Sequence, residues 1–276
     1  MRLLRPAVGS GSSEANARRM RTNTTRAKLA EGQVVFGAII GRHAPDLVEL
    51  FGAIGYDFVM IDGEHGSMSL DDVEHMVRAA EAFDITPIAR IPNHEDSTIL
   101  QFLDRGVQGI IVPHVNTREQ AETVAKAARY HPDGHRGMAG GRPHRYGVGV
   151  SREQSTAALN AQLLVIPMIE ETQAVADLDA IATAPGVDVL HVESGHLGQS
   201  MGNPGAAAVR ELMRRVIPRI RAAGKLVGVG GNSPTDAAGV AEFVKLGARF
   251  VTISAHGLLR LGAEDFRQRV QAALSP

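Results

Sequence analysis

From residue 34 onward, short runs of consecutive apolar residues alternate with stretches whose apolar positions recur every three or four residues. The runs are VVFGAIIG (34–41), DFVMIDGEH (57–65), ITPIARIP (85–92), QGIIVPHV (108–115), LLVIPMIE (163–170), VDVLHVES (187–194), KLVGVGGN (225–232) and RFVTISAHG (249–257). Strands covered on both faces, as in a parallel sheet, read as near-continuous apolar runs rather than as strict alternation. Each run is therefore a strand candidate. The intervening stretches have helical periodicity: Ala121, Val124, Ala125 and Ala128 in TREQAETVAKAARY, and Ala237, Val240, Ala241 and Val244 in SPTDAAGVAEFVKLG, fall at i, i+3, i+4, i+7. Ser69, Thr117 and Ser233 stand where side chains cap helix starts, and Gly55, Gly106, Gly224 and Gly247 where helices end. A last helix is predicted over LLRLGAEDFRQRVQAAL.

Eight strands, each followed by a helix, define an α/β fold of the (β/α)8 barrel type in a single domain. A doubly wound sheet is the alternative. It would place a glycine-rich fingerprint after the first strand, where GRHAPD stands instead. GVGGNSPTD (228–236) could cradle a phosphate at a helix start, but one glycine-rich turn is weak support. The domain is expected to span 27–276, preceded by a disordered basic extension over 1–26.

That extension holds six arginines (Arg2, Arg5, Arg18, Arg19, Arg21, Arg26) and one acid, Glu14. Such a start resembles an organelle transit peptide, although a bacterial tail or an over-long start is the plainer reading. The whole chain carries a formal net charge of −1, which gives it no reason to seek nucleic acid or an anionic membrane. No apolar run approaches the ~20 residues of a membrane helix. Its lack of cysteine excludes disulfides and zinc–thiolate sites and fits a cytoplasmic protein.

Barrel enzymes carry their chemistry at the C-terminal ends of the strands. Polar residues gather there: Asp62, Glu64 and His65 after strand two, Arg90 after three, His114 after four and Glu170 and Glu171 after five. His191, Glu193 and His196 follow strand six, and His256 strand eight. An arginine offers a two-point fork for a carboxylate, a glutamate among other donors can hold a divalent cation, and a histidine can move a proton near neutrality. Together these suit the enolate of a 2-oxo acid. His114 and His256 read as rim groups, Arg90 could instead be a salt-bridge partner, and Glu170 could cap the next helix.

GYDFVMIDGEHG (55–66), PIARIP (87–92), QFLDRGVQGIIVPHVNTREQA (101–121), RYHPDGHRG (129–137), IEET (169–172) and HLGQSMG (196–202) also carry a family likeness. The chain resembles, from about Asn23 to its end, the HpcH/HpaI aldolases, metal-dependent enzymes that cleave 4-hydroxy-2-oxo acids to pyruvate and an aldehyde. The resemblance implies that His65 is the catalytic base, with Asp104 the carboxylate paired to it. It makes Arg90 the contact to the pyruvate carboxylate and keto oxygen, Glu170 the first metal ligand, and Asp62 a further acid of the pocket. It also implies a homohexamer, a trimer of dimers that exchange their last helix, acting on a 2-oxo acid and an aldehyde.

One motif departs from the family, which reads approximately GPxDLSxSLG where this chain has HVESGHLGQSMG. His196 occupies the slot of the second metal-binding aspartate, next to Gly195 on the substrate side. Three readings stay open: His196 ligates and shifts preference from Mg toward Mn, Co or Zn; Glu193 supplies the missing carboxylate; or the metal is lost. Beside the lyase stand two other functions, an enolate-forming decarboxylase or C–C bond-forming barrel, and a non-catalytic binding barrel.

Overall fold

The computed structural model describes residues 20–275. Eight strands, β1 (Val35–Ile40), β2 (Phe58–Asp62), β3 (Thr86–Arg90), β4 (Gly109–Val112), β5 (Leu164–Ile169), β6 (Val189–Glu193), β7 (Leu226–Gly230) and β8 (Ala248–Ser254), close into one parallel barrel in sequence order. All eight predicted runs contain a strand, each a few residues shorter than its run. The doubly wound alternative is excluded, because β1 pairs with β8 as well as with β2.

Twelve helices surround them among the described residues: α1 (Thr24–Ala30), α2 (Pro45–Ala53), α3 (Leu70–Ala82), α4 (Asp96–Asp104), α5 (Arg118–Ala128), α6 (Arg152–Gln162), α7 (Thr172–Ala176), α8 (Leu178–Ala182), α9 (Ser194–Ser200), α10 (Ala206–Ala222), α11 (Ala237–Leu246) and α12 (Ala255–Leu274). Ser69 and Thr117 form capping boxes with Asp72 and Gln120, so both predicted starts hold. Ser233 does not cap. Asp236 does, accepting from the Gly239 amide, because the chain after β7 makes a turn before the helix begins. The buried stripe of α11 is correspondingly rotated: Gly239 and Phe243 are buried, whereas Ala237 and Ala241 are exposed. Gly55, Gly106, Gly224 and Gly247 have φ of 90°, 100°, 81° and 126°, the left-handed region expected of glycine at helix ends.

The ordered domain begins before residue 27. Asn23 is buried, caps α1 and bonds the Gln108 and Gln162 carbonyls, and Arg26 pairs with Asp188 at 2.7 Å. Those residues close the N-terminal end of the barrel. The expectation for residues 1–19 lies outside the described residues. No helix among those described is long and apolar enough to cross a membrane.

Two apolar layers hold the barrel. Inward side chains, including Phe58, Met60, Ile88, Ile111, Ile166, Met168 and Phe250, fill its interior. Outward ones, such as Val59, Ile61, Ala89, Val165 and Val192, pack under the helices. Phe58 stacks on Phe250 with ring centroids 4.2 Å apart. This needs Gly37, where a Cβ would stand 2.0 Å from the Phe58 ring.

Candidate active site

The alternation that fills the barrel also aims the site. Along β2 the inward series Phe58, Met60 continues to Asp62. On β3 Ile88 leads to Arg90, on β5 Met168 leads to Glu170, and on β6 Val189 leads to His191 and Glu193. Period two therefore carries the apolar floor into a polar mouth at the C-terminal end.

Asp62 and Arg90 are both buried and paired in register across β2 and β3. Arg90 donates from Nε to Asp62 Oδ1 at 2.9 Å and from Nη2 to Oδ2 at 2.7 Å. Burial alone would raise the Asp62 pKa. The Arg90 hydrogen bonds and charge, with the His65 and Glu64 amides, outweigh it and hold the carboxyl below its usual value. Burial likewise works against the charged guanidinium, but Asp62 more than offsets it. Glu64 Oε2 lies 3.1 Å from Arg90 Nη1, close enough for an ion pair. The oxygen nevertheless finds no hydrogen bond of good geometry, although it is buried.

Glu170 is 1% exposed. Its Oε1 accepts the His114 amide at 2.8 Å, and its Oε2 contacts His196 Nδ1. Burial pushes its carboxyl up, but those two hydrogen bonds bring it below the ordinary value. The same contact raises the pKa of His196. His196 Nε2 faces His65 Nε2 at 3.2 Å, so Glu170, His196 and His65 form a continuous line. With the Nδ1 proton of His196 directed at Glu170, one proton can lie between the two Nε2 atoms. Of the predicted residues, Asp62, His65, Arg90, Glu170 and His196 thus converge at one end.

Three expectations fare differently. Asp104 does not meet His65 within the chain. It ends α4, which runs from the C-terminal to the N-terminal end of the barrel, and Arg136 holds it at 2.7 Å. A pairing of Asp104 with His65 could come only from a second copy. Glu193 Oε2 accepts the His196 amide at 2.8 Å, which makes Glu193 the N-cap of α9. Gly195 sits in that first turn against the Glu193 carboxylate. His256 is exposed on the first turn of α12.

The sequence reading underrated two residues. His114, placed on the rim, has φ +56° and orients Glu170 through its amide; its ring Nδ1 lies 2.7 Å from Glu171, which raises its pKa. His191 faces inward but is fully enclosed beneath the mouth, and burial together with Arg90 pushes its pKa down to about 3. Strand parity was the available signal for His191. For His114 there was none, because a side chain's position does not announce what its amide bonds.

The donor set suits a cation. Asp62, Glu64, Glu170, Glu171 and Glu193 bring five carboxylates to the mouth around Arg90, and a buried Glu64 oxygen is unsatisfied. Among the described residues no three such side chains are arranged around one point to hold an ion. Glu170 and His196 touch instead. Two protein donors are nevertheless enough for a catalytic divalent ion that keeps its other positions for substrate and water. A cavity of about 710 Å3 lies at the opposite end near Arg136 and Arg142, away from these groups.

A parallel (β/α)8 barrel with an arginine, buried acids and imidazoles in its mouth is an enzyme scaffold equipped for carbonyl chemistry. The profile of the HpcH/HpaI aldolase/citrate lyase family matches residues 38–263, and the chain belongs to that family. The chain is 38% identical over 236 residues to a 4-hydroxy-2-oxovalerate aldolase of Novosphingobium aromaticivorans, covering 83% of this chain and 87% of the relative. It is 32% identical over 251 residues to a 2-keto-3-deoxy-L-rhamnonate aldolase of Shigella sonnei, covering 89% and 92%. A crystal structure of a family protein from Burkholderia cenocepacia superposes with a TM-score of 0.81 at 28% identity, covering 92% of this chain and all of that one. As the sequence predicts, the protein is an aldolase-type carbon–carbon lyase.

Proposed function

We propose that this chain cleaves a 4-hydroxy-2-oxo acid to pyruvate, or a close analogue, and an aldehyde, with Arg90 holding the acid and His65 moving the proton. The observation that carries the reading is Arg90 itself. Asp62 takes two of its five N–H groups, which fixes the guanidinium plane; the remaining N–H groups, on Nη1 beside Glu64 and on Nη2, can meet an incoming carboxylate and its keto oxygen.

His65 accepts the proton of the C4 hydroxyl, the C3–C4 bond breaks, and the aldehyde departs. The electron pair remains on C3 as the enolate of pyruvate, which Arg90 stabilises as charge develops on oxygen. Return of a proton to C3 completes pyruvate. His196, fixed by Glu170, lies behind His65 and can share the proton that His65 takes. Asp62 and the His114 amide hold Arg90 and Glu170 in place.

Glu170 and His196 would hold a divalent ion, which would supply Lewis-acid polarisation of the 2-oxo acid. Glu193 is the weaker donor, because its Oε2 is committed to the His196 amide. A homo-oligomer with an exchanged last helix is supported by α12. Only Ala255 is buried in this helix, while Leu259 and Phe266 are 51% and 66% exposed. Leu50 and Ile54 on α2 are exposed apolar residues as well. The test of function is pyruvate release from 4-hydroxy-2-oxovalerate, with and without EDTA. No pyruvate under either condition, with divalent ions resupplied, would reject the lyase reading for that substrate.

A further inference from the structure

Arg90 stands between two carboxylates of unequal hold. Asp62 bonds its Nε and Nη2 edge at 2.9 and 2.7 Å, and Glu64 Oε2 lies 3.1 Å from Nη1. One positive charge thus faces two negative ones, and the trio as a whole repels a further anion.

Asp62 is fixed. It is buried, its Oδ1 also accepts the Glu64 and His65 amides, and both its oxygens are bonded to Arg90. Glu64 Oε2, by contrast, is enclosed and accepts no hydrogen bond, although Nη1 is close. Charge attraction alone holds it there, against the cost of an enclosed carboxylate oxygen without a donor. Nη1 itself makes no hydrogen bond to any described residue and is not enclosed, so it is the open edge of Arg90.

The freedom of Glu64 lies in its side chain. The Glu64 amide is tied to Asp62 Oδ1 at 3.1 Å, and the Gly63 amide to the Arg90 carbonyl at 2.8 Å. Gly63 is also pressed against Phe102, whose ring would stand 2.7 Å from a Cβ there. The backbone is therefore anchored. The carboxylate is not: its Oε1 lies 3.6 Å from His114 Nε2 and its Oε2 3.9 Å from His65 Nε2, and rotation about the side-chain bonds carries it from Arg90 toward those rings. A 2-oxo acid reaching Arg90 brings a third carboxylate. Asp62 cannot yield to it, whereas Glu64 can.

We infer that Glu64 occupies, in the free enzyme, the place beside Arg90 Nη1 that the substrate carboxylate takes, and is displaced when the substrate binds. This rests on the assignment of that carboxylate to Arg90 and adds the residue that sets the affinity there. Glu64 opposes binding of substrate and of product pyruvate alike, so it weakens the hold of the site on both and helps pyruvate leave.

Calorimetric titration of the Mn-loaded protein with pyruvate tests this, with Mn affinity measured alongside. Glu64→Gln keeps the shape and removes the charge. It should bind pyruvate about tenfold more tightly than wild type, because a like charge next to the incoming carboxylate is gone. Its Mn affinity should be unchanged. A residue that only supported Arg90 or the fold would weaken pyruvate binding on substitution. If the amide variant does not fold, Glu64→Ala reads the same competition by removing the side chain. Pyruvate affinity that is unchanged or weaker in the folded variant, or that tightens only in step with Mn affinity, would overturn this role of Glu64 and leave the retro-aldol reading intact. Absence of pyruvate binding by wild type and variant alike would reject the Arg90 assignment together with it.

Discussion

Arg90 and Asp62 stand opposite each other on β3 and β2, joined by two hydrogen bonds of 2.9 and 2.7 Å in a buried setting. The pair keeps a guanidinium charged and flat inside a barrel mouth. Arg90→Lys retains the charge but loses both the fork to Asp62 and the planar edge offered to substrate. We expect kcat/KM to fall by about 10²-fold or more, the usual effect of removing a charge-stabilising donor, with the circular dichroism spectrum unchanged. Near-wild-type turnover in the lysine variant would make Arg90 structural.

His65 is the proposed base, and its side chain reaches the mouth with Nε2 toward His196. His65→Ala should lower kcat by roughly 10²–10⁴, the range of general acid–base catalysis. Single-turnover measurements separate this from slow product release. If the alanine variant turns over at close to the wild-type rate, another group accepts the proton.

His191 gives a pH dependence with a definite sign. In the unfolded chain a histidine takes up a proton near pH 6.5, whereas the enclosed ring of His191 stays neutral down to about 3. Between those values the unfolded state binds more protons, so stability is complete above about pH 6.5 and declines as pH falls toward 3. The slope from this residue is about 1.4 kcal/mol per pH unit. His191→Phe removes it, so the loss of stability from pH 7 to pH 5 should be smaller by about 2 kcal/mol. Urea unfolding of both proteins at the two pH values measures this, and equal losses would contradict a neutral, enclosed His191.

Much of this was legible in the chain. Eight apolar runs gave eight strands because a barrel covers both faces of every strand, and that constraint is written in each run separately. Asp62, Arg90 and Glu170 were legible for the same reason, since each ends such a run on its inward parity. What the chain does not show depends on contacts between distant segments. Within one copy α4 carries Asp104 to the far end of the barrel, where it meets Arg136, so a pairing with His65 needs a second copy. Ser233 looked like a cap until the turn after β7 placed Asp236 there. The Glu193 cap and the His114 amide depend on backbone direction and on neighbours from other elements.

Helix α12 exposes Phe266, Val270 and Leu274 along with its charged residues. If a second copy covers that face, Phe266→Asp places an unpaired charge in an apolar contact and should shift the protein to a smaller species by light scattering, with the barrel still folded. On a truly solvated surface the same change would be worth within about 0.5 kcal/mol and would leave the mass unaltered. An unchanged mass would therefore reject helix exchange through this residue.

His196 decides the metal question. It touches Glu170 through Nδ1 and faces His65 through Nε2, so it could serve as a ligand or only as the proton partner of His65. As a ligand it gives the site one carboxylate and one imidazole, a softer and less negative pair than two carboxylates, better suited to Mn, Co or Zn than to Mg. His196→Ala should then weaken binding of those ions, while His196→Asp should strengthen Mg binding by restoring a hard anionic donor. If His196 is only a proton partner, an ion would rest on Glu170 and water, and the alanine variant would bind metal as wild type does. Calorimetric titration of the three proteins with Mg and with Mn distinguishes the two roles. Identical affinities across all three for both ions would remove His196 from the metal site and leave it behind His65.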